Sequence, residues 1–489
     1  MRTLVVVENP KRWPFELEEV EVVPARAYLV ERRFAEMRRA AVYNMCRRLG
    51  YQSVGYYVSL LAAARGHRPL PSVETLQALT QSPVIRIASA ELDEEIQRAL
   101  GRLQADDFRL SIYFGLNVAK RYDRLSRALF EQFPAPFLAA RFVRSGGHWR
   151  LVGIRPGAAS EIPDGHRDFV LKQAREYFRH RGGRSSKAKS FRYDLAILWS
   201  PDDPTAPSDE RAIRRFMRAA AREGINAEVI GVGDYGRLAE FDALFLRETT
   251  RVDHHTYRFA TRAVAEGLAV IDRPESIVRA ANKVYQAELF GRHGIPCPRT
   301  FVVHDGNIDE IAAQVGLPCV LKKPDGAFSV GVVKVDTAEE ASERVRALLE
   351  ESELVVAQEF VPSAFDWRVG VLGGRLLYVC RYHMAKGHWQ IVRDAPNGPR
   401  YGRVQAVPPE EGPQAVLEVA VQAASLFGDG LYGVDVKEVD GRVLVMEVND
   451  NPNLDAGYED AILKDALYDE IARWFKVRLD GRGTAGFGG

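Results

Sequence analysis

"LYGVDVKEVDGRVLVMEVNDNPNL", residues 431–454, reads as two β-strands around a tight turn, with carboxylates where a buried ladder should be apolar. Glu447 and Asn449 stand two residues apart and so face the same way. A three-residue loop, Val439-Asp440-Gly441 with Gly441 left-handed, predicts the cross-strand pairs Glu438–Arg442 and Asp435–Val445. In that register Asp435 joins Glu447 and Asn449 on one face, with Val445 supporting them from the same side. A two-residue loop would turn Asp435 to the other face. Two carboxylates and one neutral amide suit a hard divalent cation such as Mg²⁺, which keeps several waters and shares phosphate oxygens. Pro452 then ends the ladder, so Asn451 and Asn453 enter a turn beside the metal, while Asp450 points the opposite way. The plainer alternative is a pair of exposed strand acids followed by a turn.

Features upstream favour the chemical reading. Lys283 lies just inside a helix in "ANKVYQAELFGRHGIP". Lys322 ends the apolar strand of "LPCVLKKPDGAFSVGVVKV", and Gly326 to Gly331, with Ser329 between them, form a small-residue loop. Such a loop can close on phosphates with backbone N–H groups while a strand lysine supplies charge. Gln358-Glu359-Phe360 follow, then Asp366, Arg368 and Arg381 on or near strands. Taken singly, a glycine loop is more often a plain hairpin and each basic residue a solvated one.

The 489 residues exceed one ordinary core and point to two to four domains. Lys+Arg (67) and Asp+Glu (66) nearly cancel, so charge gives no argument for nucleic acid or an anionic membrane. No window looks like a signal peptide or a membrane span. Cys46, Cys297, Cys319 and Cys380 form no CxxC pair and read as reduced thiols of a cytoplasmic protein. A basic, Gly- and Ser-rich linker is placed at 181–190.

Before the linker, "RTLVVVEN" reads as a strand and "FAEMRRAAVYNMCRRLG" as a helix closed by Gly50. A hairpin around Gly146-Gly147 and a helix over "GHRDFVLKQAREYFRHRG" complete an α/β or α+β domain without a chemical signature. After it, "DLAILWS", a helix capped by Ser208, "NAEVIG", "FDALFLR", "YRFATRAVAEG" and "LAVID" alternate strand and helix, which predicts a parallel sheet. No GxGxxG follows the first strand.

Lys, Lys with a glycine loop, Gln-Glu-Phe, Asp-x-Arg, Asp and Glu-x-Asn, in that order, resemble the ATP-grasp superfamily, in its RimK-like branch near glutathione synthetase and the glutamate ligases. The resemblance covers about residues 192–475, and residues 1–185 resemble the amino-terminal domain attached to some RimK-like proteins. It implies an α/β (α+β) ATP-grasp fold: an amino-terminal domain over 1–185, a pre-ATP-grasp βαβ unit over 191–275, and two α+β subdomains over 276–360 and 361–480 that clamp ATP. It implies that Lys283, Lys322 and the loop at Gly326, Ser329 and Gly331 hold phosphates. Gln358, Glu359, Phe360 and Asp366 would belong to the nucleotide site, with adenine met mainly by backbone. Asp435, Glu447 and Asn449 would bind two Mg²⁺, for which Mn²⁺ can substitute. Arg368 and Arg381 would hold the γ-phosphate and an acyl phosphate, and Arg247, Asn451 and Asn453 would lie near substrate. The implied activity is an ATP-dependent carboxylate–amine ligase acting on amino acids or short peptides, working as a dimer or tetramer. A glutamate-adding ligase for a protein tail and an ATP-grasp phosphotransferase are the alternatives. "AKGHWQIVRDAPNGPRYGRVQAV" departs from the family's Arg-x-Asn and Gly-Gly pattern in a loop that normally helps choose the substrate. Trp389 within it is read as core or as substrate-stacking.

Overall fold

The computed structural model describes residues 2–15, 17, 20–37, 40–182, 191–325, 332–393 and 400–482. The glycine loop at Gly326, Ser329 and Gly331, and most of the basic linker, lie outside them. The chain divides into two compact units, one of residues up to 189 with Tyr235–Glu240, the other of the remainder.

The first unit starts from apolar runs that cannot face water. Strands β1 (Arg2–Val7), β2 (Val20–Pro24), β3 (Ala40–Asn44) and β4 (Arg68–Leu70) form a parallel sheet in the order β2-β1-β3-β4. Leu4 and Val6 pack against Val58 and Ala62 of the helix Val54–Ala64. Val5 and Val7 pack against Val170, Ala174 and Phe178 of the helix Arg167–Gly182. A parallel sheet covered on both faces reads as continuous hydrophobics, which is why "AAVYN" is a strand here and not the middle of a helix ending at Gly50. The second sheet of the unit is antiparallel, β5 (Asp107–Tyr113), β6 (Phe137–Ser145) and β7 (His148–Pro156). Gly146 and Gly147 turn the β6–β7 hairpin at φ of 59° and 79°, as the sequence led us to expect.

The second unit opens with the parallel sheet β8 (Tyr193–Leu198), β9 (Ile225–Ile230), β10 (Ala243–Leu246) and β11 (Ala269–Ile271), ordered β11-β10-β8-β9. Its helix Glu210–Arg222 buries Ile213, Phe216 and Ala220. Asp209, not Ser208, caps that helix by accepting from Ala212 N at 2.8 Å. Two antiparallel sheets follow. One holds β12 (Thr300–Val303), β13 (Cys319–Lys322), β14 (Val332–Val335) and β15 (Val355–Glu359), ordered β12-β15-β13-β14. The other holds β16 (Phe365–Leu372), β17 (Arg375–His383), β20 (Val404–Val407), β21 (Leu431–Val439) and β22 (Arg442–Asp450), ordered β20-β17-β16-β21-β22. The two-residue strands β18 (Val392–Arg393) and β19 (Arg400–Tyr401) pair with each other. One face of the five-stranded sheet packs on the helix Gln414–Ser425 through Trp367, Val369, Val434, Val436, Val445 and Val448. The four cysteines are unpaired, Cys46, Cys319 and Cys380 buried and Cys297 half-buried. No helix among the described residues is long and apolar enough to cross a membrane.

The turn after β22 is the junction of this unit. Asn451, left-handed at φ 48°, donates its N–H to Asp272 at 3.0 Å and its amide Nδ2 to the Glu248 carbonyl at 2.6 Å. Its Oδ1 accepts from Arg247 Nη1 at 2.6 Å. The Arg247 guanidinium also donates to Ser208 Oγ and to the Pro207 and Pro452 carbonyls. Arg247 is wholly buried, and burial lowers its pKa to about 10. Arg247 and Asn451 therefore brace the turn, with most of their polar groups engaged inside it. Asn453 hydrogen-bonds Asp455 and offers its carbonyl to Tyr378.

Two outcomes follow from this junction. Arg247→Lys cannot serve four acceptors at once, and each buried group left unpaired costs about 1–3 kcal/mol. Urea denaturation should show at least that loss; an unchanged midpoint would refute the bracing role. Asp272 is fully buried and its pKa is raised to about 8, by burial first and then by Asp450. Its ordinary value in an unfolded chain is about 4. The folded state thus keeps a proton that the unfolded state gives up, so stability is fullest below that value and falls as pH rises toward 8. Thermal melts from pH 6 to 9 should show the fall, and Asp450→Asn should flatten it.

Candidate active site

The face of the five-stranded sheet opposite the Gln414–Ser425 helix carries the charged residues. Period-two alternation puts Asp366 and Arg368 of β16 on it, and Asp435 and Lys437 of β21 beside them. Arg368 lies directly across from Asp435, Asp435 across from Glu447, and Gly433 across from Asn449.

The way Asp435 reaches that face differs from the three-residue loop expected. Val439 pairs with Arg442, so the loop has two residues, Asp440 and Gly441, both left-handed at φ 51° and 75°. Such a loop alone would place Met446 opposite Asp435. The ladder instead shifts between Asp435 and Val436, which leaves Met446 as an extra residue and brings Glu447 across from Asp435. The odd residue needed to align the carboxylates comes from a bulge and not from the loop. Beyond the bulge Val445 faces the apolar core with Val436 and Val448, so it does not support the carboxylates from their own side.

Arg368 grips Asp435 with two bonds, Nε to Oδ1 and Nη2 to Oδ2 at 2.9 Å. Asn449 Nδ2 donates to Asp435 Oδ2 at 3.2 Å. Gly433 makes room: a Cβ there would lie 2.7 Å from Pro452 and 3.1 Å from Arg368 Cδ. Lys283 Nζ stands 3.9 Å from Glu447 Oε2. Lys283 is the first residue of the helix Lys283–His293, capped by Asn282 and closed by left-handed Gly294. Gln286 on that helix bonds both ways to the backbone of Val448, from Val448 N at 2.8 Å and to its carbonyl at 3.0 Å, and so ties the lysine's helix to β22. Lys322, at the end of β13, donates to Gln358 Oε1 at 2.7 Å, and Gln358 Nε2 reaches Thr300 Oγ1 at 3.1 Å.

Four cations (Lys283, Lys322, Arg368, Lys437) thus face three carboxylates (Asp366, Asp435, Glu447). Burial depresses Lys322 to about 8. Burial pushes Asp435 up to about 6 against the pull of Arg368. Burial also opposes ionisation of Glu447, yet Lys283 and Lys322 hold its carboxyl below the ordinary range. A cavity of about 140 Å³ lies among these groups, with Lys322, Gln358, Phe360, Trp389, Asp435 and Glu447 in its wall. The Glu359 side chain is taken by Arg442, at 2.9 and 3.3 Å, and by Arg299, and its pKa falls to about 2. Only its backbone remains for the cavity.

One expected residue does not join the group. Arg381 pairs across from Trp367, one residue out of phase with Arg368, and so occupies the sheet's other face. Its guanidinium lies over the Trp367 and Phe365 rings at 4.7 and 5.1 Å. Two residues that the sequence reading passed over do contribute. Lys437 stands two residues after Asp435, is buried, and bonds Asp366 and Ser363. Gln286 stands three residues after Lys283, one turn along the same helix. A lysine in an otherwise apolar strand, in phase with an aspartate, was the available signal for the first.

Known proteins resemble this chain in both of its units. Residues 25–173 match the model of the RimK-like ATP-grasp N-terminal domain, and residues 280–471 that of the RimK-like ATP-grasp domain. A protein of Psychromonas ingrahamii named "Probable alpha-L-glutamate ligase" is 30% identical over 222 residues, 45% of this chain and 71% of that one. A protein of the same name from Vibrio vulnificus is 29% identical over 256 residues, 50% of this chain and 82% of that one. The crystal structure of a RimK domain ATP-grasp protein from Sphaerobacter thermophilus is 20% identical, with a TM-score of 0.45 over 57% of this chain and 98% of that one. The chain belongs to the RimK-like ATP-grasp family and is an ATP-dependent ligase.

Proposed function

We propose that the chain joins an amino acid, with L-glutamate the first candidate, to the carboxylate of a small molecule or short peptide through an acyl phosphate. The observation that carries this reading is the single sheet face on which Arg368, Asp435, Glu447 and Asn449 meet beside Lys283 and Lys322. The name shared by the relatives from Psychromonas and Vibrio supports glutamate. With Lys+Arg at 67 and Asp+Glu at 66, the net charge of +1 gives little long-range pull on a charged protein tail, which favours the smaller acceptor.

The donor set fits Mg²⁺. Asp435, Glu447 and Asn449 are oxygen donors, and the carboxylates are already met by cations, Asp435 by Arg368 and Glu447 by Lys283. These three residues would hold the two Mg²⁺ of the proposed site. The metal, when bound, supplies charge neutralisation at the phosphates. The chain's own residues do the rest. Lys283 and Lys322 hold phosphate oxygens as point charges. The substrate carboxylate displaces ADP from the γ-phosphate, and the amine then displaces phosphate from the acyl carbon. Arg368 is placed to meet charge that builds on the transferring phosphoryl group, a role worth on the order of 10²–10⁵ in rate.

An ADP-release screen pairing L-glutamate with other amino acids and short peptides should find a pair that stimulates turnover in Mg²⁺. Glu447→Gln should then abolish turnover while weakening ATP binding only modestly. If no pair raises ADP formation above background, the ligase substrate reading fails. Lys322 gives a pH signature. In the free protein it deprotonates near 8, and a bound polyphosphate restores its charge. Nucleotide binding at pH 8 to 9 should therefore take up a proton, and affinity should fall as pH rises through about 8. Calorimetry in two buffers of different ionisation enthalpy would detect the uptake, and Lys322→Met should remove it.

A further inference from the structure

Part of the loop expected to choose the substrate lines the cavity that holds Lys322, Asp435 and Glu447. Residues 385–390 close on themselves: Ala385 N donates to the Gln390 carbonyl at 2.9 Å and His388 N to the Ala385 carbonyl at 2.8 Å. Gln390 N reaches His388 Nδ1 at 3.1 Å, and Gly387 takes the left-handed conformation at φ 71° that the turn needs. This closure fixes where Trp389 goes. Its ring meets Phe360 edge to face, with centroids 5.7 Å apart and planes at 83°. His388 lies parallel to it on the chain's own side, at 5.8 Å and 18°.

Trp389 and Ile391 share the cavity wall with Phe360, Val361, Val332 and Met446. Lys283, Lys322, Asp435 and Glu447 line the same cavity, so its wall is part apolar and part charged. A long ligand with one flat apolar part and one polyanionic part matches that division. The apolar walls fit a purine, whose faces stack on aromatic rings. L-Glutamate, the first candidate amine, has no flat apolar group to set against those walls.

We propose that Trp389 is a binding residue for the nucleotide base, so that the 385–390 loop responds to ATP and ADP and not to the acceptor. The proposal rests on nucleotide occupying this cavity, and it is independent of which carboxylate and amine are joined.

The test uses the full chain with Mg²⁺ and two probes, ADP and the base-free polyanion tripolyphosphate. Binding is read by calorimetry and by tryptophan fluorescence. ADP should change the fluorescence of the wild-type chain. Trp389→Phe keeps an aromatic face, so it should lose that signal yet bind ADP within about threefold of wild type. Trp389→Ala should bind ADP at least about fivefold more weakly, the low end for a stacked base, while tripolyphosphate affinity stays unchanged. The retained tripolyphosphate binding shows that the variant is folded. Equal ADP affinity in Trp389→Ala, or an equal loss for both probes, overturns the proposal. So does a raised KM for the amino-acid substrate with ADP binding intact. A wild-type chain that binds no ADP sinks the nucleotide reading and this inference together, whereas a failed search for the amine substrate touches only the proposed reaction.

Discussion

A strand shows its side chains to alternate faces, and the whole site depends on one place where that alternation is broken. Met446 is the extra residue in β22. Were the ladder unbroken, Asp435 would sit opposite Met446, and Glu447 would fall on the core face. With the bulge, Asp435, Glu447 and Asn449 fall on one face while Val434, Val436, Val445 and Val448 keep the core intact on the other. A single inserted residue lets the same two strands serve as half of a hydrophobic core and as a charged site.

The second constraint is electrostatic. Carboxylates with few solvent contacts are costly to ionise unless cations stand close. Here each one has such a partner: Arg368 for Asp435, Lys283 for Glu447, Lys437 for Asp366. The site is therefore nearly balanced in charge as it stands. In the proposed two-Mg²⁺ site, the cations and the polyphosphate would bring opposite charges together, so the balance would survive loading.

Much of this was legible in the strings of residues. The order of Lys283, Lys322, Asp366, Arg368, Asp435, Glu447 and Asn449 gave the family and the strand face, because i, i+2 spacing survives any tertiary arrangement. What failed depended on geometry that spacing does not encode. Arg381 and Arg368 lie on neighbouring strands, and one residue of register sends Arg381 to the Trp367 side. Arg247 and Asn451 look like substrate groups because they are polar and near the motif, but only the folded structure shows that they are buried and bonded to each other and to the turn. The strand "AAVYN" was absorbed into a helix because a doubly covered strand has no alternation to betray it.

The Gln286 clamp carries a consequence for how the chain can change over time. Its amide reads the backbone of Val448 and so fixes the helix bearing Lys283 against the strand bearing Glu447. These two segments are about 160 residues apart in the chain. A slip of one residue in β22 would present a different peptide group to Gln286 and pull the lysine out of step with its carboxylate. An insertion or deletion in either segment therefore needs a compensating change in the other if lysine and carboxylate are to stay in step.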